Sequence, residues 1–213
     1  MYLYVIIIID MKNIVTILLV LLTVFASAQT DLESIMTLEI NELRANPKSF
    51  IPHVEEYISF NNEMIGRIKS GKTKISSSKL NGEAVIIDRI KAAKELIEIL
   101  NTIEPLDTLV FNVDMYIITK KHAEYLDANN KMSHKDSNGN SASTRFKEIN
   151  LDVSENLVSV GSFIKDTTTP LLLTLLIDAG IDNRGHRKNI LANDIRFVSV
   201  SIVGGVCVQN FAH

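Results

Sequence analysis

Helical spacing dominates the middle of this chain, and β-type alternation appears only near its end. From Asp31, apolar residues fall at Leu32, Ile35, Met36, Ile40 and Leu43, the three- and four-residue spacing of one buried helix face. Asp31 is placed to cap that helix, and Asn46-Pro47 to end it. Residues 52–60 read as a second, short helix. Residues 61–82 are polar, rich in Lys, Ser and Gly, and without period, so they read as a surface loop. Val85, Ile86, Ile90, Ala93, Leu96, Ile97 and Leu100 form one stripe and predict a helix over 84–100. Glu104-Pro105 breaks it. Residues 113–128 read as another helix, with Met115, Ile118, His122 and Tyr125 along one side.

The second half is more broken. Residues 129–143 are turn-rich, and 144–149 read as about one helical turn. Residues 153–160 alternate weakly, as a strand carrying polar side chains would. Residues 170–179 read as a helix with Pro170 in the first turn and Gly180 at the stop. Residues 184–191 read as a short helix. Two β-branched runs, 197–203 and 206–211, flank Gly204-Gly205, which is a hairpin signal. Helices first and an antiparallel hairpin last predict an α+β domain.

The most hydrophobic stretch of the chain does not belong to that pattern. About 22 of the first 28 residues are apolar. They explain most of a mean hydropathy of +0.15. Within them, Met11-Lys12-Asn13 precedes an apolar run of about 12 residues and then Ala26-Ser27-Ala28. This is the layout of a secretory signal peptide over 1–28, with the functional start at Met11 and cleavage before Gln29. The run falls short of the ~20 residues a membrane-spanning helix needs, so no stable span is expected once the signal is removed. The expected address is extracellular or periplasmic.

Charge and cysteine content narrow the chemistry. A net charge of -3 argues against a dedicated nucleic-acid binder. One cysteine, Cys207, excludes an internal disulfide and any multi-cysteine metal centre within one chain. Cys207 falls in an expected inner strand and reads as a small buried hydrophobe. What remains is a set of polar islands beside apolar runs: Ser133-His134-Lys135-Asp136 with Arg145, Glu155-Asn156, Asp178, and Arg184-Gly185-His186-Arg187-Lys188-Asn189. Two imidazoles and two carboxylates in one cleft would suit metal binding or proton transfer. His122, on an apolar helix face, reads instead as a packing residue.

The order of these islands resembles the CAP superfamily, the SCP-like extracellular proteins that include cysteine-rich secretory proteins, antigen 5 and plant pathogenesis-related proteins. The resemblance covers most of 30–212 and is to a bacterial branch. It is carried by Asn41-Glu42-Leu43-Arg44-Ala45-Asn46-Pro47, His122-Ala123, Ser133-His134, Arg145, Glu155-Asn156, Asp178, Arg184-Gly185-His186-Arg187-Lys188-Asn189-Ile190 and the closing Cys207-Val208-Gln209-Asn210-Phe211. It implies a three-layer α-β-α sandwich with a small antiparallel sheet over 29–213, enlarged by an insertion around 61–100. It also implies a cleft lined by two histidines, His134 and His186, and two acids, Glu155 and, as the nearest candidate for the second, Asp178. Tryptophan, which animal and plant members carry near that acid, is absent from this chain.

Two functions follow as expectations. The first is a secreted binding module. It would hold a divalent metal such as zinc at His134 and His186, with Glu155 and Asp178 as orienting or ligating acids, or take a small-molecule, lipid or peptide ligand. The alternative is a protease- or esterase-like hydrolase with His134, Glu155 and His186 as catalytic residues. Its missing part is a nucleophile, for which a metal-bound water would substitute.

Overall fold

Helix α1, Asp31–Ala45, opens the described part of the chain. The structure is a computed structural model and describes residues 31–72, 82–161 and 167–213. The expected signal peptide lies outside the described residues. A 3-10 turn, Pro47–Phe50, leads from α1 into α2, Ile51–Lys69. Helix α3, Gly82–Thr102, follows. Then come β1, Val110–Phe111, and α4, Val113–Ala128, the latter capped by Asn112 Oδ1 on the Met115 N–H at 2.9 Å. A single turn α5, Ala142–Arg145, and a 3-10 turn, Lys147–Ile149, precede β2, Val153–Ser159. Helices α6, Thr169–Ile177, and α7, Gly185–Ile190, lead to β3, Phe197–Val203, and β4, Val206–Ala212.

The strands order as β1-β3-β4-β2. The β3–β4 hairpin has the expected two-residue turn, with Val203 paired to Val206. Gly204 takes a φ of +49°, and a Cβ there would collide with the Asp127 carboxylate at the end of α4. That carboxylate accepts the Gly205 N–H at 2.9 Å and ties the hairpin tip to the helix. β2 pairs with β4 antiparallel, with Glu155 opposite Asn210 and Asn156 opposite Gln209. The sheet is mixed rather than purely antiparallel, because β1 pairs parallel to β3. Two residues carry no readable alternation, so β1 was invisible to periodicity.

Alternation along the strands builds two cores. On one face Val198, Val200, Cys207 and Phe211 pack with Met36, Ile40 and Leu43 of α1 and with Ala93, Leu96 and Leu100 of α3. On the other, Leu157, Val206 and Val208 pack with Ala123 and Leu126 of α4. Helices thus cover both faces of the sheet, which is the layered arrangement expected. Each fully buried Leu or Ile contributes about 1.5–3 kcal/mol, so the larger cluster dominates stability. Cys207 is fully buried, and burial pushes its thiol pKa up. It is a free, inert packing residue.

Helix α2 runs to Lys69, nine residues past its expected end at residue 60. Val54 and Asn61 are its buried positions, and Asn61 Nδ2 donates back to the Tyr57 carbonyl at 2.7 Å. Polar composition misled the reading, because this helix buries a narrow stripe and leaves most of its length in water. Helix α3, expected to be part of an insertion, is a full partner in the main core. Among the described residues, no helix is long and apolar enough to cross a membrane.

Candidate functional site

Glu155 and Asn156 are consecutive on β2, so their side chains point to opposite faces of the sheet. Each organises one histidine.

On the α4 face, Glu155 is almost completely enclosed, its side chain 2% exposed. Oε1 accepts from His134 Nδ1 at 3.1 Å, and Oε2 accepts from Asn210 Nδ2 at 3.2 Å. Arg145 Nη2 forms a short ion pair with the same Oε2. The Arg145 Nη1 also donates to the carbonyls of His134 and Asn140, both at 3.0 Å. One guanidinium therefore fixes both the loop that carries His134 and the acid that accepts its ring hydrogen bond. A carboxylate only accepts, so His134 Nδ1 carries the hydrogen and Nε2 is left as a lone pair. The His134 side chain is 58% exposed, so that lone pair belongs to an accessible ring.

On the opposite face, Asp178 sits at the end of α6 in a left-handed conformation, φ 53°. Its Oδ2 accepts the His186 N–H at 2.9 Å and its Oδ1 accepts from His186 Nδ1 at 2.7 Å. Two contacts from one carboxylate fix both backbone and ring. The approach to α7 is held by Arg184, whose Nη1 donates to the Asp178 carbonyl at 2.8 Å and whose Nε pairs with Glu95 at 3.1 Å. Buried Arg187 ties α7 to α6 and α3 through the carbonyls of Ile177 and Ala92, at 2.9 and 2.8 Å. Asn156 Nδ2 donates to the His186 carbonyl at 3.2 Å, and its Oδ1 accepts from Asn189 at 2.8 Å. The His186 side chain is 22% exposed.

The four expected residues are thus brought together as two pairs, His134 with Glu155 and His186 with Asp178. The pairs flank β2 on its two sides. Among the described residues, β2 is an edge strand of the sheet. Among the described residues, no three His, Cys, Asp or Glu side chains are grouped to hold a metal ion. Each acid accepts a hydrogen bond on both oxygens, one of them from its histidine ring.

His122 was read as packing, and it is buried, but it also belongs to this neighbourhood. Its Nε2 donates to the Ser133 carbonyl at 3.0 Å and lies 3.8 Å from Glu155 Oε1. Asn210 of β4, in the closing motif, belongs here too, through its bond to Glu155. The signal for it was readable: Gln209-Asn210 is a polar pair inside an otherwise apolar strand, where an unsatisfied amide would be costly.

Two buried groups set the acid behaviour. Burial lowers the His122 pKa below the ordinary 6.5, against the pull of nearby Glu155. Burial pushes the Glu155 carboxyl up, but the His134 hydrogen bond and Arg145 outweigh it and hold the group below the ordinary 4.5. For His122 the unfolded chain binds its proton first, so stability falls as the pH drops below 6.5. For Glu155, the stabilisation present above 4.5 is lost as pH falls through its lowered folded value. Urea midpoints should therefore decline between about pH 7 and about pH 5, and His122→Gln should flatten that decline. An unchanged slope in the variant would assign the loss to other groups.

No protein-family model matches this chain, and no curated protein matches it. Three solved structures are similar in fold. An extracellular protein containing an SCP domain from Bacillus anthracis aligns at TM-score 0.42 and 17% identity, over 61% of this chain and 38% of that one. An outer surface protein from Borrelia burgdorferi aligns at 0.41 and 18%, over 66% of this chain and 96% of that one. A cysteine-rich secretory protein from Staphylococcus aureus aligns at 0.35 and 13%, over 64% and 40%. This chain thus spans well under half of the Bacillus and Staphylococcus proteins. At these scores, the functional reading is carried by this chain's own residues.

Proposed function

We propose that this chain is a secreted CAP-type binding domain whose recognition atoms are the Nε2 lone pairs of His134 and His186. The observation that carries the reading is the pairing of each Nδ1 with a buried carboxylate, at 3.1 and 2.7 Å. A carboxylate on Nδ1 fixes the tautomer and orients the ring so that Nε2 is the free donor atom, which is what a metal-ligating imidazole needs. The motif order along the chain supports the family, and the apolar leader supports export.

A divalent metal such as zinc fits this donor set in a limited way. Two neutral imidazoles suit it; standing on opposite sides of β2, they would share one ion only around that strand's open edge, with the acids orienting the rings. Bound there, the ion would supply a Lewis-acidic contact for a small-molecule or peptide ligand. The chain's own contribution is to hold two rings in one tautomer and orientation. Zinc titrated by calorimetry should bind the wild type. His134→Ala and His186→Ala should each weaken binding by at least about tenfold, and Asp178→Asn by about tenfold or more. Equal binding by all four proteins would reject the metal reading.

The same dyads would serve a hydrolase, with Nε2 as general base. Ser133 is the adjacent hydroxyl, yet its Oγ accepts from the Lys135 N–H at 3.0 Å. Neither histidine ring has it as a hydrogen-bond partner in the bonds described above. The binding reading therefore ranks first.

A further inference from the structure

The two outer edges of the sheet are finished differently. On β3, the carbonyls of Arg196 and Val198 accept from the Val110 and Asn112 N–H groups at 2.9 and 3.1 Å. Farther along, Glu33 Oε1 accepts the Ile202 N–H at 2.8 Å. On β2, the Val160 N–H donates to the Gly205 carbonyl at 2.8 Å, one step beyond the Ser159–Val206 pair. Main-chain groups alternate sides along a strand. Val158, Asn156 and Ser154 therefore face β4, while Ser159, Leu157, Glu155 and Val153 face away from it. Among the described residues, no main-chain partner meets the outward N–H and C=O groups of these four.

Water reaches that edge. Glu155 is 9% exposed as a whole residue but only 2% at its side chain, so most of its exposure is main chain. Ser159 is exposed outright. The sequence does not guard the edge either. Val153–Ser159 holds no Lys, Arg or Pro, and its register with β4 runs without a bulge. The one charge, on Glu155, is engaged inside the fold by Arg145. Open edges are normally blunted by such devices, because they template pairing with another chain.

We infer that β2 binds an extended peptide by strand addition. Donors and acceptors repeat along its edge every two residues, about 6.6 Å, and an extended main chain carries the same repeat. His134 stands on one face of β2 and His186 on the other, so alternate side chains of the added strand meet one ring or the other. That side-chain preference rests on the reading of both rings as recognition atoms; the main-chain pairing rests on β2 alone. Arg145 and α7 flank the strand on its two sides. Such flanks favour a bare strand over a second folded copy, which would bring flanks of its own.

The test screens the wild type against a synthetic heptapeptide library and resynthesises the tightest binder with one N-methyl group at each position in turn. Methylation should weaken binding by about tenfold or more at every second residue and by less than about twofold at those between. The bound peptide should slow hydrogen exchange at the Glu155 and Leu157 amides. Ser159→Pro, which removes one outward N–H at an exposed edge position, should weaken binding severalfold. No binder in the library, loss without a two-residue period, or protection that maps away from β2 would overturn the inference. Protection of Glu155 and Leu157 that rises with protein concentration in the absence of peptide would overturn it in favour of a second copy. A two-residue period that persists at unchanged affinity in His134→Ala and His186→Ala would uphold strand addition and remove the rings from recognition, so the two readings fail separately.

Discussion

Glu155→Ala is expected to lower the unfolding free energy by about 3–5 kcal/mol. The reason is the partner left behind. Arg145 is only 7% exposed, and its ion pair with Glu155 is what makes a buried guanidinium tolerable. Removing the acid strands that charge, frees Asn210 Nδ2 and releases His134 Nδ1. Replacing both members of the pair by apolar residues should cost less than removing one, since the penalty comes from the uncompensated charge. Urea unfolding of Glu155→Ala, Arg145→Met and the double variant gives the cycle. A loss under about 1 kcal/mol for Glu155→Ala would mean the pair is solvated.

Arg44→Ala is expected to cost about 3 kcal/mol or more. Arg44 lies in α1 and is fully buried. Its Nε donates to the Asp107 carbonyl at 2.8 Å, and its Nη1 to the carbonyls of Ile190 and Ala192 at 2.9 and 2.7 Å. Those acceptors lie before β1 and at the end of α7, so one side chain joins three distant stretches of the chain. Alanine would leave three carbonyls unanswered and a cavity in α1's contact with the core. The loss should appear as a lower urea midpoint with unchanged slope. If Arg44→Ala unfolds within about 1 kcal/mol of the wild type, water has taken over those carbonyls.

Both residues show what could be read from the letters and what could not. Periodicity located α1, α3, α4 and the β3–β4 hairpin, because each buries a wide apolar face with a regular period. It stopped α2 at residue 60, because that helix buries little beyond Val54 and Asn61. It missed β1, because two residues have no period. His134, Glu155, Asp178 and His186 stood out as polar islands with a recognisable order. Their grouping into two pairs on opposite sides of β2 did not, because sidedness depends on strand register. Nothing in the local sequence marks Arg44 or Arg187 as buried. Their burial follows from carbonyls contributed by segments tens of residues away, which no local window contains.

The most direct measurement is the protonation pattern of the His134 and His186 rings, read from side-chain ¹⁵N shifts and two-bond couplings above the pH at which both are neutral. The account predicts that both rings carry hydrogen on Nδ1 and a bare Nε2, and that Glu155→Gln and Asp178→Asn each disturb only their own partner ring. A ring protonated on Nε2, or one averaging freely between tautomers as an isolated imidazole does, would contradict it.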